Sequence, residues 1–185
     1  MSRKIIVRWH DWSGKGIEHL VLHEGPDEIV ADAAILGTAE DEVFAARYRI
    51  LCDESWRVRK AEIAQIGGGD ALELASDGAG NWVGGSGTPM PQLAGAIDID
   101  ISITPFTNTL PIRRLHLQTG QSGEILVVYV RLPGLTVTTD RQCYTCLESD
   151  RRYRYESLDS DFTRDIEVDR DGLVVIYPDL FRRVL

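Results

Sequence analysis

Asp98 and Asp100, followed closely by Arg113 and Arg114, form the densest set of groups in the chain that could do chemistry. On a strand, residues two apart share a face and lie roughly 6.6 Å apart along it. Two carboxylates at that spacing could act as the acid and base of a glycosidase or hold a divalent cation. They could equally form ion pairs with Arg113 or Arg114 once the chain turns back, and this reading is favoured over catalysis. A guanidinium is always charged and carries five donors, so near an interior it must find carboxylates, carbonyls or an anionic ligand. Two further residues join Arg113, Arg114, Asp98 and Asp100 as candidate ligand contacts. Asn108 stands at the head of the segment bearing the arginines, and Trp56 has an indole that could stack on a sugar ring.

Other constellations are better explained structurally. His19 and His23 sit on an alternating segment, where four residues of strand separate them by roughly 13 Å, too far to share a metal. Cys143 and Cys146 have redox spacing, but on a strand residues three apart point to opposite faces, so one is expected inward and one outward. Arg151 to Tyr155 interleaves basic and aromatic residues as single-strand nucleic-acid surfaces do. Its arginines can instead offset Glu148, Asp150 and Glu156. The Asp169-Arg170-Asp171-Gly172 run opens like a calcium loop but lacks the later ligands, and a hairpin turn accounts for it. Nucleophile elbow, phosphate loop, dinucleotide fingerprint and metalloprotease motif are all missing from the sequence. The sequence therefore gives no catalytic residue, no metal site and no cofactor.

The 185 residues carry 29 acidic and 20 basic side chains, a net charge of −9. That field repels phosphate backbones and anionic bilayers, so no nucleic-acid partner is expected. The N-terminal apolar run is too short for a signal-peptide core, and no stretch approaches the roughly 20 apolar residues of a membrane-spanning helix. A cytoplasmic protein without membrane insertion is expected, its three cysteines remaining thiols.

The elements that must position these groups are nearly all strands. Ile97 to Ile103 alternates four isoleucines with Asp98, Asp100 and Ser102, which predicts a strand with one apolar buried face and one polar face. Phe44 to Ile50, Ile125 to Leu132, Leu135 to Tyr144, Arg152 to Tyr155, Phe162 to Val168 and Leu173 to Tyr177 read the same way. Turn signals separate them at Gly25-Pro26-Asp27, Gly67-Gly68-Gly69-Asp70, Asp77-Gly78, Pro133-Gly134 and Asp171-Gly172. Gly84 to Gly95 reads as a loop. Thr104 to Leu115 predicts the main helix, capped by Asn108 or Thr109 with Pro111 in its first turn. From Leu115 the alternation of leucines with His116 and Gln118 predicts a return to strand. The expectation is an all-β, mainly antiparallel single domain over 1–185, a roll or barrel.

The segment Asp98-Ile99-Asp100-Ile101 followed by Thr104-Pro105-Phe106-Thr107-Asn108-Thr109-Leu110-Pro111-Ile112-Arg113-Arg114-Leu115 resembles the signature of a bacterial glycolipid-binding family. Trp12 with Gly16 to Leu20, Cys52 to Arg59, Val168 to Val174 and Tyr177-Pro178 resemble it too, in the same order. The resemblance implies a spiral β-roll, a sheet wrapped around one helix, assembled as a homodimer and offering a lipid or glycolipid site. A non-enzymatic amphiphile binder is the leading function class. An enzyme using Asp98 and Asp100, or a ligand-free interaction dimer, are the alternatives.

Overall fold

The computed structural model describes residues 2–39, 42–68 and 71–185. The Gly69-Asp70 end of the glycine-rich turn lies outside the described residues. Fourteen strands form one sheet. In chain order they are β1 (Arg3–Asp11), β2 (Ile17–Glu24), β3 (Glu28–Ala39), β4 (Glu42–Asp53), β5 (Val58–Gln65), β6 (Ala71–Ser76) and β7 (Trp82–Gly84). After these come β8 (Asp98–Ile101), helix α1 (Thr109–Leu115), β9 (Ser122–Arg131) and β10 (Thr136–Glu148). The chain closes with β11 (Arg152–Ser157), β12 (Thr163–Val168), β13 (Val174–Tyr177) and β14 (Phe181–Arg183).

The spatial order is β7-β6-β5-β4-β3-β2-β1-β14-β13-β12-β11-β10-β9-β8. Each half is a meander of neighbours in sequence, and the halves join at mid-sheet where β1 pairs antiparallel with β14. Strand makes up 58% of the chain and helix 7%, as the alternation predicted. The barrel alternative is corrected: the sheet is open, with β7 and β8 as its edges. Breaks in register at Leu51/Cys52, between Cys146 and Glu148, and at Glu167/Val168 add the twist that curls such a sheet. Between the edges, contact comes from the connecting segment, through Gly95 N–H to Gly80 O (2.9 Å) and Trp82 Nε1–H to Ala96 O (2.7 Å).

Strands β8 and β9 run parallel, joined through α1 as a crossover. This arrangement corrects the reading of the isoleucine strand. Ile99 and Ile101 are buried as expected, but Asp98 is wholly buried too and Asp100 half-buried. The crossover helix covers the strand at Asp98 and leaves that acid no solvated face, while Asp100 stays partly open.

The helix differs in detail from expectation. A 3-10 turn at Phe106–Asn108 leads into it, and Asn108 is already helical, so its side chain caps nothing. At the other end His116 takes a left-handed φ of 48° that stops the helix, and strand resumes only at Ser122. The expected return to strand at Leu115 is thus a turn. Leu110 packs in the larger core with Trp9, Leu20, Ile50 and Ile101, while Ile112 packs in a second core with Tyr144, Tyr155, Ile166 and Tyr177. The helix therefore gives side chains to both cores, and the apolar burial of Leu110 and Ile112 stabilises seven residues that would not stay helical alone.

Candidate functional site

Of the six residues proposed from the sequence, two form a sealed ion pair. Arg114 at the end of α1 donates Nε–H to Asp98 Oδ1 (3.0 Å) and Nη2–H to Oδ2 (2.5 Å). This bidentate pairing braces the helix against β8. Complete burial pushes the Asp98 carboxyl up and Arg114 pulls it down, with burial the larger. Asp98 opens onto no cleft, so it and Asp100 do not present a shared catalytic face.

Arg113 turns the other way, as a step of about 100° on a helix requires. Its guanidinium donates to Asp171 O (2.9 Å), lies 3.3 Å from Glu24 and stacks 4.5 Å over the Trp56 ring. Trp56 is buried beneath it and lines neither of the cavities described next.

Asp100 and Asn108 do meet open space. They line a cleft of about 450 Å³ with Tyr129, Asp140, Tyr155 and Tyr177. Thr107 Oγ1–H donates to Asp100 Oδ1 (2.9 Å), while Gln142 Nε2 donates to both Asp100 Oδ2 (2.8 Å) and Asp140 Oδ2 (3.0 Å). One amide thus ties the two acids side by side. Burial pushes both carboxyls up, against the pull of their hydrogen bonds. Asn108 accepts from Tyr144 O–H (2.9 Å) and donates to Pro105 O (3.1 Å), which fixes this corner. Carboxylates and an amide among tyrosine rings can hydrogen-bond sugar hydroxyls while the rings stack on apolar sugar faces.

A second cavity, of about 480 Å³, adjoins the first, and both are walled by Ser102, Tyr129, Leu180 and Phe181. Its remaining lining is mostly apolar, with Trp9, Trp12, Ile35, Leu36, Phe44 and Leu132. Among these sits Glu18, only 3% exposed. Tyr48 O–H (2.6 Å) and Thr104 O–H (2.8 Å) both donate to its Oε1, and Oε2 has no partner. Burial pushes the carboxyl up to about 7 against the pull of the two hydroxyls. An unmade hydrogen bond at a buried oxygen costs about 1–3 kcal/mol.

Sequence reasoning missed Glu18. The available signal was its phase: along β2 it points inward with Leu20 and Leu22, so an acid occupies an apolar register.

The remaining candidates take structural places. His19 accepts from Arg8 Nε–H (3.1 Å) on β2, and no cluster able to hold a metal occurs among the described residues. Cys146 is buried and Cys143 half-exposed, on opposite faces of β10, both as free thiols. Arg154 pairs with Asp165 (2.8 Å) and Arg151 with Glu148 (3.0 Å), while Tyr153 and Tyr155 face inward. No described helix is long and apolar enough to cross a membrane.

Comparison with known proteins agrees with this architecture. The crystal structure of a DUF1089 family protein from Pseudomonas aeruginosa superposes with a TM-score of 0.81 at 37% identity, covering 90% of this chain and 92% of that one. No curated protein matches the chain. The profile of the family described as "Putative glycolipid-binding" matches residues 6–183, so nearly the whole sheet, both cavities and the Asp98–Arg114 brace fall within it. The chain belongs to that family.

Proposed function

We propose that the protein binds an amphiphile of the glycolipid class without transforming it, the apolar chain in the chamber and the sugar in the cleft. The observation that carries this reading is the adjacency of the two cavities: one apolar, one acidic and tyrosine-lined, with Ser102, Tyr129, Leu180 and Phe181 in the walls of both. Pockets that orient a ligand combine an apolar majority with a few placed polar groups, and here the two roles are divided between adjoining spaces. The family description supports the ligand class. The net charge of −9 favours an uncharged ligand over a nucleic acid. A homodimer, as the resemblance implies, belongs to the same reading; sedimentation at twice 20.7 kDa supports it and sedimentation at 20.7 kDa removes it.

The test is calorimetric titration with octyl β-D-glucopyranoside below its micellar concentration, beside glucose and 1-octanol. The amphiphile is expected to bind at least about tenfold more tightly than either half, the gain expected when linked groups occupy adjoining sites. Leu36→Asp, at a partly exposed chamber residue, should weaken the amphiphile, and Asp140→Asn should weaken the sugar-dependent part. Glucose binding as tightly as octyl glucoside would leave the chamber unused and sink the proposal.

A further inference from the structure

We infer that Glu18 is the polar anchor of the chamber, and that it selects an uncharged amphiphile whose innermost polar atom accepts a hydrogen bond, such as an ester, amide or glycosidic oxygen. The inference rests on the amphiphile reading above and names the ligand class that the same site takes.

The hydrogen bonds around Glu18 fix where its proton sits. Oε1 accepts from Tyr48 and Thr104, and Thr104 Oγ1 itself accepts from Phe106 N–H (3.0 Å), which leaves its own proton for Glu18. With Oε1 occupied by two donors, a proton on the carboxyl belongs on Oε2. Oε2 has no partner among the described residues and is closed to bulk water. Neutral Glu18 therefore holds one unused O–H donor in a wall built largely of apolar side chains. Ionised Glu18 would hold an uncompensated anion there.

Burial, the largest influence on Glu18, favours the neutral form, and three charged side chains also face the chamber. Asp11 comes from the end of β1, Asp179 from the turn after β13 and Arg131 from β9, with the phenols of Tyr48 on β4 and Tyr129 on β9 nearby. Partial burial pushes Asp11 up, but donors from Ser13 and the backbone of Gly16, Gly14 and Lys15 outweigh it and hold Asp11 below the usual carboxylate range. Asp179 is paired with Arg164 (3.2 Å). The charges facing the chamber are thus mixed, two acids and one guanidinium with Asp179 already paired, and a carboxylate or phosphate head group is disfavoured chiefly by losing its hydration in the apolar wall. Below neutrality Glu18 is mostly protonated, since its carboxyl is pushed up to about 7.

Three probes with the same eight-carbon tail separate the possibilities: octyl β-D-glucopyranoside, octylammonium and octanoate, titrated below micellar concentrations from pH 5.5 to 8.5. Wild type is compared with Glu18→Gln, whose carbonyl accepts the same two hydroxyls and whose NH₂ is a donor at every pH. Wild-type affinity for octyl glucoside is expected to hold up to about pH 7 and then fall about tenfold per pH unit as the donor is lost. Glu18→Gln is expected to keep the low-pH affinity throughout, and octanoate to bind weakly to both. Octyl glucoside binding that is flat with pH in wild type overturns the inference and leaves the amphiphile reading standing. Octylammonium binding that strengthens above pH 7 and exceeds octyl glucoside also overturns it, because the anchor is then the anion. Failure of all three probes to bind overturns both.

Discussion

At the scale of single residues, the buried acids govern how stability depends on pH. Burial pushes the Glu18 carboxyl up to about 7 from the 4.5 of an ordinary glutamate. A raised carboxyl favours the fold below the ordinary value and loses that contribution as pH rises to the folded one. Glu18→Gln should therefore gain on wild type between pH 4.5 and 7 and level off above, by about 3 kcal/mol in all. Denaturant unfolding across that range measures it; a difference constant with pH would mean that Glu18 titrates normally. The Asp98–Arg114 pair calls for a different experiment. Arg114→Met alone strands a carboxylate that is wholly buried and should cost about 3–5 kcal/mol, whereas Asp98→Leu with Arg114→Met should recover much of that. Equal losses in single and double variants would show that packing, not charge, holds the helix end. The pairing was legible in the sequence because a guanidinium near an apolar strand has few ways to be satisfied. Glu18 was passed over although Leu20 and Leu22 set its phase, because a lone glutamate in a strand reads by default as exposed.

Among the elements, the unit β8–α1–β9 decides what the site can be. Its position was legible in the alternation of Ile97 to Ile103 and in the proline and threonine cluster that follows. The covering of its second face at Asp98 was not, since alternation signals one polar face and only the crossover that returns Arg114 over the strand covers it. Ile101 is fully buried. Ile101→Asp should cost several kcal/mol, enough to unfold a typical domain, because it places a charge among the apolar side chains of the core. Soluble Ile101→Asp protein with a wild-type thermal transition would refute that placement. The helix boundary was misjudged at His116, whose left-handed backbone belongs to a residue type with no strong turn preference. Arg113 over Trp56 could not have been foreseen either, as the two are brought together only by the tertiary fold.

For the whole molecule, strand content and antiparallel character followed from composition and period. Strand order across the middle did not, because turn signals specify only neighbours. Near the two sheet edges, Gly80 (φ +95°) is the point of closest approach: a Cβ there would meet Gly95 Cα at 2.9 Å. Gly80→Ala should force both a strained backbone and a backbone clash, costing more than the roughly 1 kcal/mol of an ordinary glycine replacement. Hydrogen exchange should then quicken in β7 and at Gly95. Unchanged exchange with unchanged stability would mean that the edges are not held together there.

The mid-sheet junction of β1 and β14 also sets an order of events during folding. Every other strand pairing joins consecutive strands and closes a short stretch of chain, but Trp9 opposite Arg183 closes nearly the whole of it. Chain closure grows more costly with the length closed, so local hairpins form first and the seam waits. On a ribosome the wait is built in, because residues 3–11 emerge long before residues 181–183. Until then β1 shows one unpaired side to its surroundings, the kind of exposed ladder on which other chains pair. Pulse-labelled hydrogen exchange during refolding should protect amides of the β3–β4 ladder before Trp12 N–H, which bonds Leu180 O (2.8 Å), and Arg8 N–H, which bonds Leu185 O (3.1 Å). Simultaneous protection would refute the order. If it holds, the window between the two events is when this protein is most exposed to aggregation and most in need of a chaperone.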